Sequence, residues 1–247
     1  SQRSTNSSNF QNGFDQEDLT SYEIGYKGDM WDRRLRFNGA LFYMDFEGYQ
    51  QSVQTGRSPG ERDFVNIDDA TIQGLELDIF LAISDTWTLS ASYGYLDTEF
   101  GEDTVSYLRI DDTAEDGVSL VTEPLTNSLA MAPEHSATIS LDYHRQLSFG
   151  ILDANLNYQY RDEAYAGVQF PTGVLNDHQL LGATLSVSEI DVGAGQLLFR
   201  LWGKNLTDED YHIGNIRQES FDDLGLIGLA TFGDPRTYGL TVEYEYF

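Results

Sequence analysis

His135-Ser-Ala-Thr-Ile-Ser-Leu-Asp-Tyr-His144 and Leu152-Asp-Ala-Asn-Leu-Asn-Tyr-Gln-Tyr-Arg161 are two alternating runs joined by a short polar turn. In the second run Leu152, Ala154, Leu156, Tyr158 and Tyr160 share one parity, against Asp153, Asn155, Asn157, Gln159 and Arg161. In the first, Ala137, Ile139, Leu141 and Tyr143 oppose Ser136, Thr138, Ser140, Asp142 and His144. Successive side chains of a strand point to opposite faces, so each run has one apolar and one polar face. A soluble antiparallel sheet produces the same pattern. Two details favour a membrane barrel. Each run has the roughly 9–11 residues that cross a bilayer as a tilted strand. The apolar parity also ends in tyrosines, which gather at the membrane–water boundary.

Composition narrows the classes. The chain has 247 residues, room for one large β domain or two ordinary ones. Acidic residues number 41 against 14 basic, a net charge of −27, which repels a phosphate backbone and argues against nucleic acid as a partner. The 14 Phe, 15 Tyr and 3 Trp argue against disorder despite that charge. No apolar run approaches the ~18 residues of a transmembrane helix, but a barrel strand needs only alternate apolar residues. With no cysteine there is neither a disulfide framework nor a cysteine metal site. The chain begins at Ser1, without Met or signal peptide, so an export signal is expected to be removed or to lie outside this stretch.

Taken in order, Ser1–Asp18 is rich in Ser, Asn and Gln and reads as a loop. Strands are expected at Ser21–Met30 (Tyr22, Ile24, Tyr26), Leu35–Asp45 (Leu35, Phe37, Leu41, Tyr43), Ala70–Ala82 (Leu75, Leu77, Ile79, Leu81) and Trp87–Leu96 (Trp87, Leu89, Tyr93, Tyr95). After the opening hairpin come a strand around Leu181, Ala183, Leu185 and Val187, another at Leu197–Asn205, and a last one at Arg236–Phe247. The alternation predicts nine strands. Their connections alternate in length: short near 31–34, 83–86, 145–150 and 189–196, long at 46–69, 97–132, 162–176 and 206–235. Short turns on one side and long loops on the other are the layout of bacterial outer-membrane barrels. The stretch 97–132 carries nine acids and one base, Arg109.

Chemistry-bearing constellations are few. The histidines His135, His144, His178 and His212 have no metal-ligand spacing, and no metal site or cofactor is expected. There is no nucleophile elbow and no phosphate loop. Glu76 and Asp78 could be named an acid–base pair, but two residues apart on one strand face they read as lining of a wet lumen. Asp111, Asp112, Glu115 and Asp116 invite a calcium hypothesis, yet the D-x-D-x-D-G spacing is absent and a solvated acidic loop is the reading adopted. No catalytic residue is expected, and no motif identifies ligand-binding residues.

Several stretches resemble the C-terminal barrel of TonB-dependent outer-membrane receptors of the siderophore-receptor type. These are Ser21-Tyr-Glu-Ile-Gly-Tyr-Lys-Gly28, Arg34-Leu-Arg-Phe-Asn-Gly-Ala-Leu-Phe-Tyr43, Ala70-Thr-Ile-Gln-Gly-Leu-Glu-Leu77, and Ala132-Pro133 ahead of a strand. Trp202-Gly-Lys-Asn-Leu-Thr-Asp208 followed by Tyr211 is the most specific, with Pro235-Arg-Thr-Tyr-Gly-Leu240 close behind. The matches run in the family's order from about residue 20 to the end. The resemblance implies an all-β transmembrane antiparallel barrel of about 22 strands closed by an N-terminal plug. These residues would be its last nine strands, a fragment without the plug. Residues 1–19 would then be an extracellular-loop remnant, and 20–247 the C-terminal part of the barrel. One departure concerns the family's end signal. Glu243 and Glu245 fall where apolar residues are usual, counted back from Phe247, while Val242, Tyr244 and Tyr246 are shifted by one. Either Phe247 is an added residue or the signal is degenerate.

The implied function is energy-coupled import of a scarce nutrient across a Gram-negative outer membrane, most of all an iron–siderophore complex, without enzymatic activity. Implied partners are outer-membrane lipid, the chelate, and a periplasm-spanning TonB-type coupler reached through the missing N-terminal part. A passive porin-like channel and a structural or adhesive barrel are the alternatives.

Overall fold

The computed structural model describes residues 14–56, 62–102, 104–110, 113–115, 118–125, 128–167, 174–219 and 226–247. They hold fifteen strands and no helix: β1 (Asp18–Met30), β2 (Leu35–Gln54), β3 (Arg62–Ala82), β4 (Trp87–Phe100), β5 (Thr104–Ile110), β6 (Val118–Pro124), β7 (His135–Leu147), β8 (Gly150–Arg161), β9 (Ala164–Tyr165), β10 (Val174–Leu175), β11 (His178–Val192), β12 (Gly195–Lys204), β13 (His212–Glu219), β14 (Leu226–Phe232) and β15 (Thr237–Tyr246). Nine of them form one antiparallel sheet in the order β1-β2-β3-β4-β7-β8-β11-β12-β15. The other six pair off as three ribbons inside the long connections. The nine expected strands are therefore the nine strands of this sheet.

Register decides whether nine amphipathic strands make one amphipathic sheet, since a slip of one residue would send a strand's apolar set to the wrong face. Across the middle of the sheet no such slip occurs; the β11–β12 pair shifts register only between Val187 and Ile190, near its turn. A single cross-strand row runs Met30, Leu35, Leu81, Leu89, Leu141, Leu156, Ala183, Gly203, Tyr238. Every member lies on the apolar parity of its strand, and five leucines stand side by side. Met30 is the last residue of β1, at the short-turn end. Tyr238, by contrast, is the second residue of β15, at the loop end, eight residues from Tyr246. The row thus climbs by about one residue per strand. With a rise of about 3.4 Å per residue and about 4.8 Å between strands, that corresponds to a tilt of about 35°, as in closed barrels.

Among the described residues the apolar face stays largely open. Ile24, Leu41, Leu156, Leu201, Leu240 and Val242 are all exposed on it. A contiguous apolar surface of this extent marks an interaction surface rather than a solvated one. At its turn end Trp87 and Tyr143 lie opposite each other with ring centroids 4.7 Å apart.

Buried hydrophobic packing sits elsewhere. Val53, Ile67, Ala70, Phe100, Val105, Tyr107, Leu125 and Leu129 form the core cluster, with Phe46, Tyr49 and Ile72 against it. These residues come from the far halves of β2 and β3, the end of β4, β5, and the stretch that follows β6. Here the structure corrects the sequence reading. The connection expected at 46–69 instead continues β2 to Gln54 and is re-entered by β3 at Arg62; residues 57–61 lie outside the described ones. The connections 97–132 and 206–235 likewise contain the β5–β6 and β13–β14 ribbons, and β9 and β10 pair within 162–176. Asn205 belongs to a turn and not to the strand before it.

The extension of β2–β3 was hidden by a change of phase. The pairing passes from Glu47–Asp69 to Tyr49–Ile67 without a Gly48–Asp68 partner pair. Below that step Phe46 and Ala70 point into the core; above it Tyr49 and Ile67 do. Gly48 has φ +67, and a Cβ there would meet the Gln16 carbonyl oxygen at 2.9 Å. The step therefore needs a glycine. Asn66 secures it from the other strand, donating to the Gly48 carbonyl at 2.7 Å and to that of Asp15 at 3.0 Å.

Burial, and then the nearby Glu17 carboxylate, raise the Tyr49 phenol above its ordinary pKa. A raised folded value means that this group favours the folded state below the unfolded phenol's pKa of about 10, and that the contribution is lost as pH rises through the folded value. Alkaline unfolding of the β2–β3 extension, followed by amide exchange, should therefore shift to higher pH in Tyr49→Phe. An unchanged alkaline limb would mean Tyr49 does not govern it.

Candidate functional site

The polar parities of β3, β4, β7, β8 and β11 bring short polar side chains together over a wide area. Ser90, Ser92 and Gly94 of β4 lie beside Ser136, Thr138 and Ser140 of β7, residue opposite residue. Such a floor of hydroxyls and glycine leaves room above it. A trough of about 580 Å³ is lined by Glu76, Asp78, Ser92, Gly94, Ser136, Thr138, Gln159, Arg161 and His178. A second, of about 290 Å³, shares Asp78, Ser92 and Thr138 and continues towards Arg36, Asn38, Phe80, Ser90 and Ser140. The carboxylates of β3 form one bank of the larger trough, and Arg161 and His178 the opposite one.

Towards the turn end the same face carries a hydrogen-bonded ladder. The Asn155 amide donates to Ser140 Oγ at 2.7 Å and to Asp142 Oδ1 at 2.6 Å, while Asn157 donates to Asn155 Oδ1 at 3.1 Å. His144 Nδ1 and Asp153 Oδ1 are 2.6 Å apart across the β7–β8 pair. The face is polar throughout, and the Ser140 hydroxyl also donates to Asp142 Oδ2 at 3.2 Å, so that these side chains satisfy one another within the ladder.

Glu76 and Asp78 sit on this face as the alternation requires, and both line the larger trough, without an ion pair among the described residues. Asp111, Asp112 and Asp116 lie outside the described residues, and Glu115 is exposed. The four histidines are dispersed. His135 Nδ1 is 2.8 Å from the Tyr93 hydroxyl, and His144 pairs with Asp153. His178 stacks on Tyr211 at 4.5 Å, and His212 lies 4.6 Å from Phe232. Among the described residues no group of three or more His, Asp or Glu could hold a metal ion.

The motif around Trp202–Asp208 has a structural role that its sequence did not disclose. Asn205 is buried, at 6% exposure, with φ +48, a conformation asparagine tolerates. Its side-chain amide donates to the carbonyls of Glu209 (2.8 Å) and Asp234 (3.1 Å), and its Oδ1 accepts from the Glu209 N–H at 2.8 Å. Asp208 pairs with Arg236 at 2.8 Å, while Tyr211 accepts from the Gly233 N–H through its carbonyl and packs over that glycine. Leu206 N–H reaches back to the Leu181 carbonyl at 2.8 Å. The two ends of the 206–235 connection are thus tied to each other and to β11. The signal available in sequence was an asparagine ending a strand ahead of a Thr-Asp turn, a residue type that bonds its own backbone.

The sheet's amphipathicity, its tilt and its loop-side knot agree with the comparisons. The sequence profile described as TonB dependent receptor-like, beta-barrel, matches residues 1–206. The chain is 32% identical over 85 residues (34% of this chain, 11% of the relative) to a probable TonB-dependent siderophore receptor, PiuA, of Acinetobacter baumannii. It is 27% identical over 235 residues (92% of this chain, 24% of the relative) to a ferric-pyoverdine receptor, PbuA, of a Pseudomonas strain. Among solved structures, the ferric-catecholate import receptor Fiu of E. coli in its closed form superimposes with a TM-score of 0.64 at 22% identity, over all of this chain and 30% of that one. The ferric yersiniabactin uptake receptor FyuA of Yersinia pestis gives 0.66 at 16% identity, over 92% and 29%. The chain thus spans less than a third of each of these proteins, and with a profile match over most of its own length it belongs to the TonB-dependent receptor-like β-barrel family.

Proposed function

We propose that this chain is part of the wall of an outer-membrane receptor that imports an iron–siderophore complex, driven by a TonB-type coupler that contacts another part of the receptor. The observation that carries the reading is one sheet of nine strands with a row of apolar residues along one face and a wide polar trough on the other. Such a wall suits passage, not chemistry. The apolar face would meet lipid and the polar face the lumen, with the strands of a longer receptor covering the free edges of β1 and β15. The named relatives, receptors for ferric-pyoverdine, ferric-catecholate and ferric yersiniabactin, support iron chelates as the cargo class. Residues 1–19 would be the remainder of an extracellular loop, and 20–247 the C-terminal part of the barrel.

The test is uptake of radioactive ferric chelates by cells that carry the full-length gene in place of their own siderophore receptors, with the coupler present or deleted. Accumulation that vanishes with the coupler supports the proposal. Accumulation indifferent to it would instead indicate a passive channel.

Sidedness is a separate expectation. The chain lacks cysteine, so single cysteines at Glu115 and Gln146 can be probed on intact cells with an impermeant thiol reagent. Labelling is expected at 115 and not at 146. The reverse pattern would invert the topology.

A further inference from the structure

The turn between β1 and β2 is built from residues that disfavour its backbone. Trp31, Asp32 and Arg33 have φ values of 52°, 54° and 67° in succession. The Arg34 N–H closes the turn on the Trp31 carbonyl at 3.0 Å. That leaves Asp32 and Arg33 as the two central residues at positive φ, the places where Asn-Gly is favoured in a tight hairpin. Arginine thus stands where glycine would be relaxed. Residues held in sparsely populated backbone regions point to a demand other than folding.

The surroundings indicate what that demand is. Met30 and Leu35, which flank the turn, begin the outward row of leucines, so the turn is continuous with the apolar face. Trp31 is 68% exposed. Of the neighbouring bases, Arg36 is engaged by Asp29 at 3.0 Å and Arg34 by Asp85 at 3.5 Å. Arg33 is exposed and makes no ion pair among the described residues. An amphipathic indole beside an unpaired guanidinium, at the edge of a lipid-facing surface, fits the headgroup zone. The indole prefers that boundary, and the planar guanidinium fork matches a phosphate.

We propose that the Trp31–Arg34 turn is a membrane-boundary anchor. The Trp31 indole lies in the headgroup zone of the leaflet at the short-turn end, and the Arg33 guanidinium engages the phosphate of an anionic phospholipid. This rests on the apolar face being lipid-facing and is independent of what the receptor imports, so a failed uptake assay leaves it standing.

The experiment uses the full-length protein in vesicles of phosphatidylcholine, with or without phosphatidylglycerol. The fluorescence difference between the parent and Trp31→Phe isolates this indole. A blue-shifted difference spectrum, mostly lost when the acyl chains carry bromine and shifted further by phosphatidylglycerol, is expected. Arg33→Gly should raise the denaturation midpoint in detergent and abolish the phosphatidylglycerol-dependent part of the shift. The anchor is overturned if aqueous acrylamide quenches Trp31 as fully as free tryptophan while brominated lipid does not. The role of Arg33 is overturned if Arg33→Gly keeps the full response to phosphatidylglycerol, or if its midpoint falls.

Discussion

Replacing Leu156 by arginine should destabilise the folded barrel by about 2–4 kcal/mol, whereas the same replacement one residue on, at Asn157, should cost well under 1 kcal/mol. Leu156 lies near the middle of β8 on the apolar parity, between Leu141 on one side and Ala183 on the other. A guanidinium there would be held in hydrocarbon. Asn157 lies on the polar face, where its neighbours are Ser140 and Gly182 and an arginine can reach water. Denaturant titration of the full-length protein in lipid compares the two. Equal costs would mean that the faces have been assigned wrongly.

The second large effect should come from Asn205. Removing its amide in Asn205→Ala leaves the Glu209 N–H and the carbonyls of Glu209 and Asp234 without their partner in a buried turn. At about 1–3 kcal/mol for each buried group left unsatisfied, partly recovered by water at the loop surface, a loss of about 3 kcal/mol is expected. Alanine at φ +48 adds about 1 kcal/mol that Asn205→Gly would not. Glycine should therefore be the milder of the two. By contrast, Arg236→Ala should cost less than about 1 kcal/mol, since its pair with Asp208 is about half exposed on both sides. If Asn205→Ala costs no more than Arg236→Ala, then the ion pair and not the amide ties the loop.

What was legible in the sequence follows from the range of each signal. Parity within a strand is local, so the faces of β7 and β8 could be read from Leu141 and Leu156 alone, and the cross-strand row came out as the alternation required. The extension of β2 and β3 was hidden because Gly48 and Asp68 reset the alternation in both strands at once. The β5–β6 ribbon was hidden by composition. Val105 and Tyr107 are buried there, but they stand among the acids of 97–132 and share a cluster with Val53 and Ile67, which lie far earlier in the chain. The polar floor of the trough could be anticipated strand by strand. Its two banks could not, because Glu76 and His178 come from strands four positions apart in the sheet. In β11, similarly, the register shift between Val187 and Ile190, with Glu189 at φ +55, has no sequence signal beyond a broken alternation.

The climbing row of leucines makes hydrogen-bonded neighbours unequal with respect to the bilayer. Leu35 sits at the first residue of β2, beside the turn, and Leu156 six residues into β8, although one row joins them. A residue's depth is therefore set by its count from the turn rather than by its partner across the strand. The row works as a depth gauge laid diagonally through the membrane. Arginine placed in turn at Leu35, Leu81, Leu89 and Leu141 should meet a graded penalty, small at the boundary and growing towards the midplane, though the four sites share one chemistry and one face. The short turns keep that gauge in calibration: one residue added to a turn would move every side chain of the following strand to a new depth and to the opposite face.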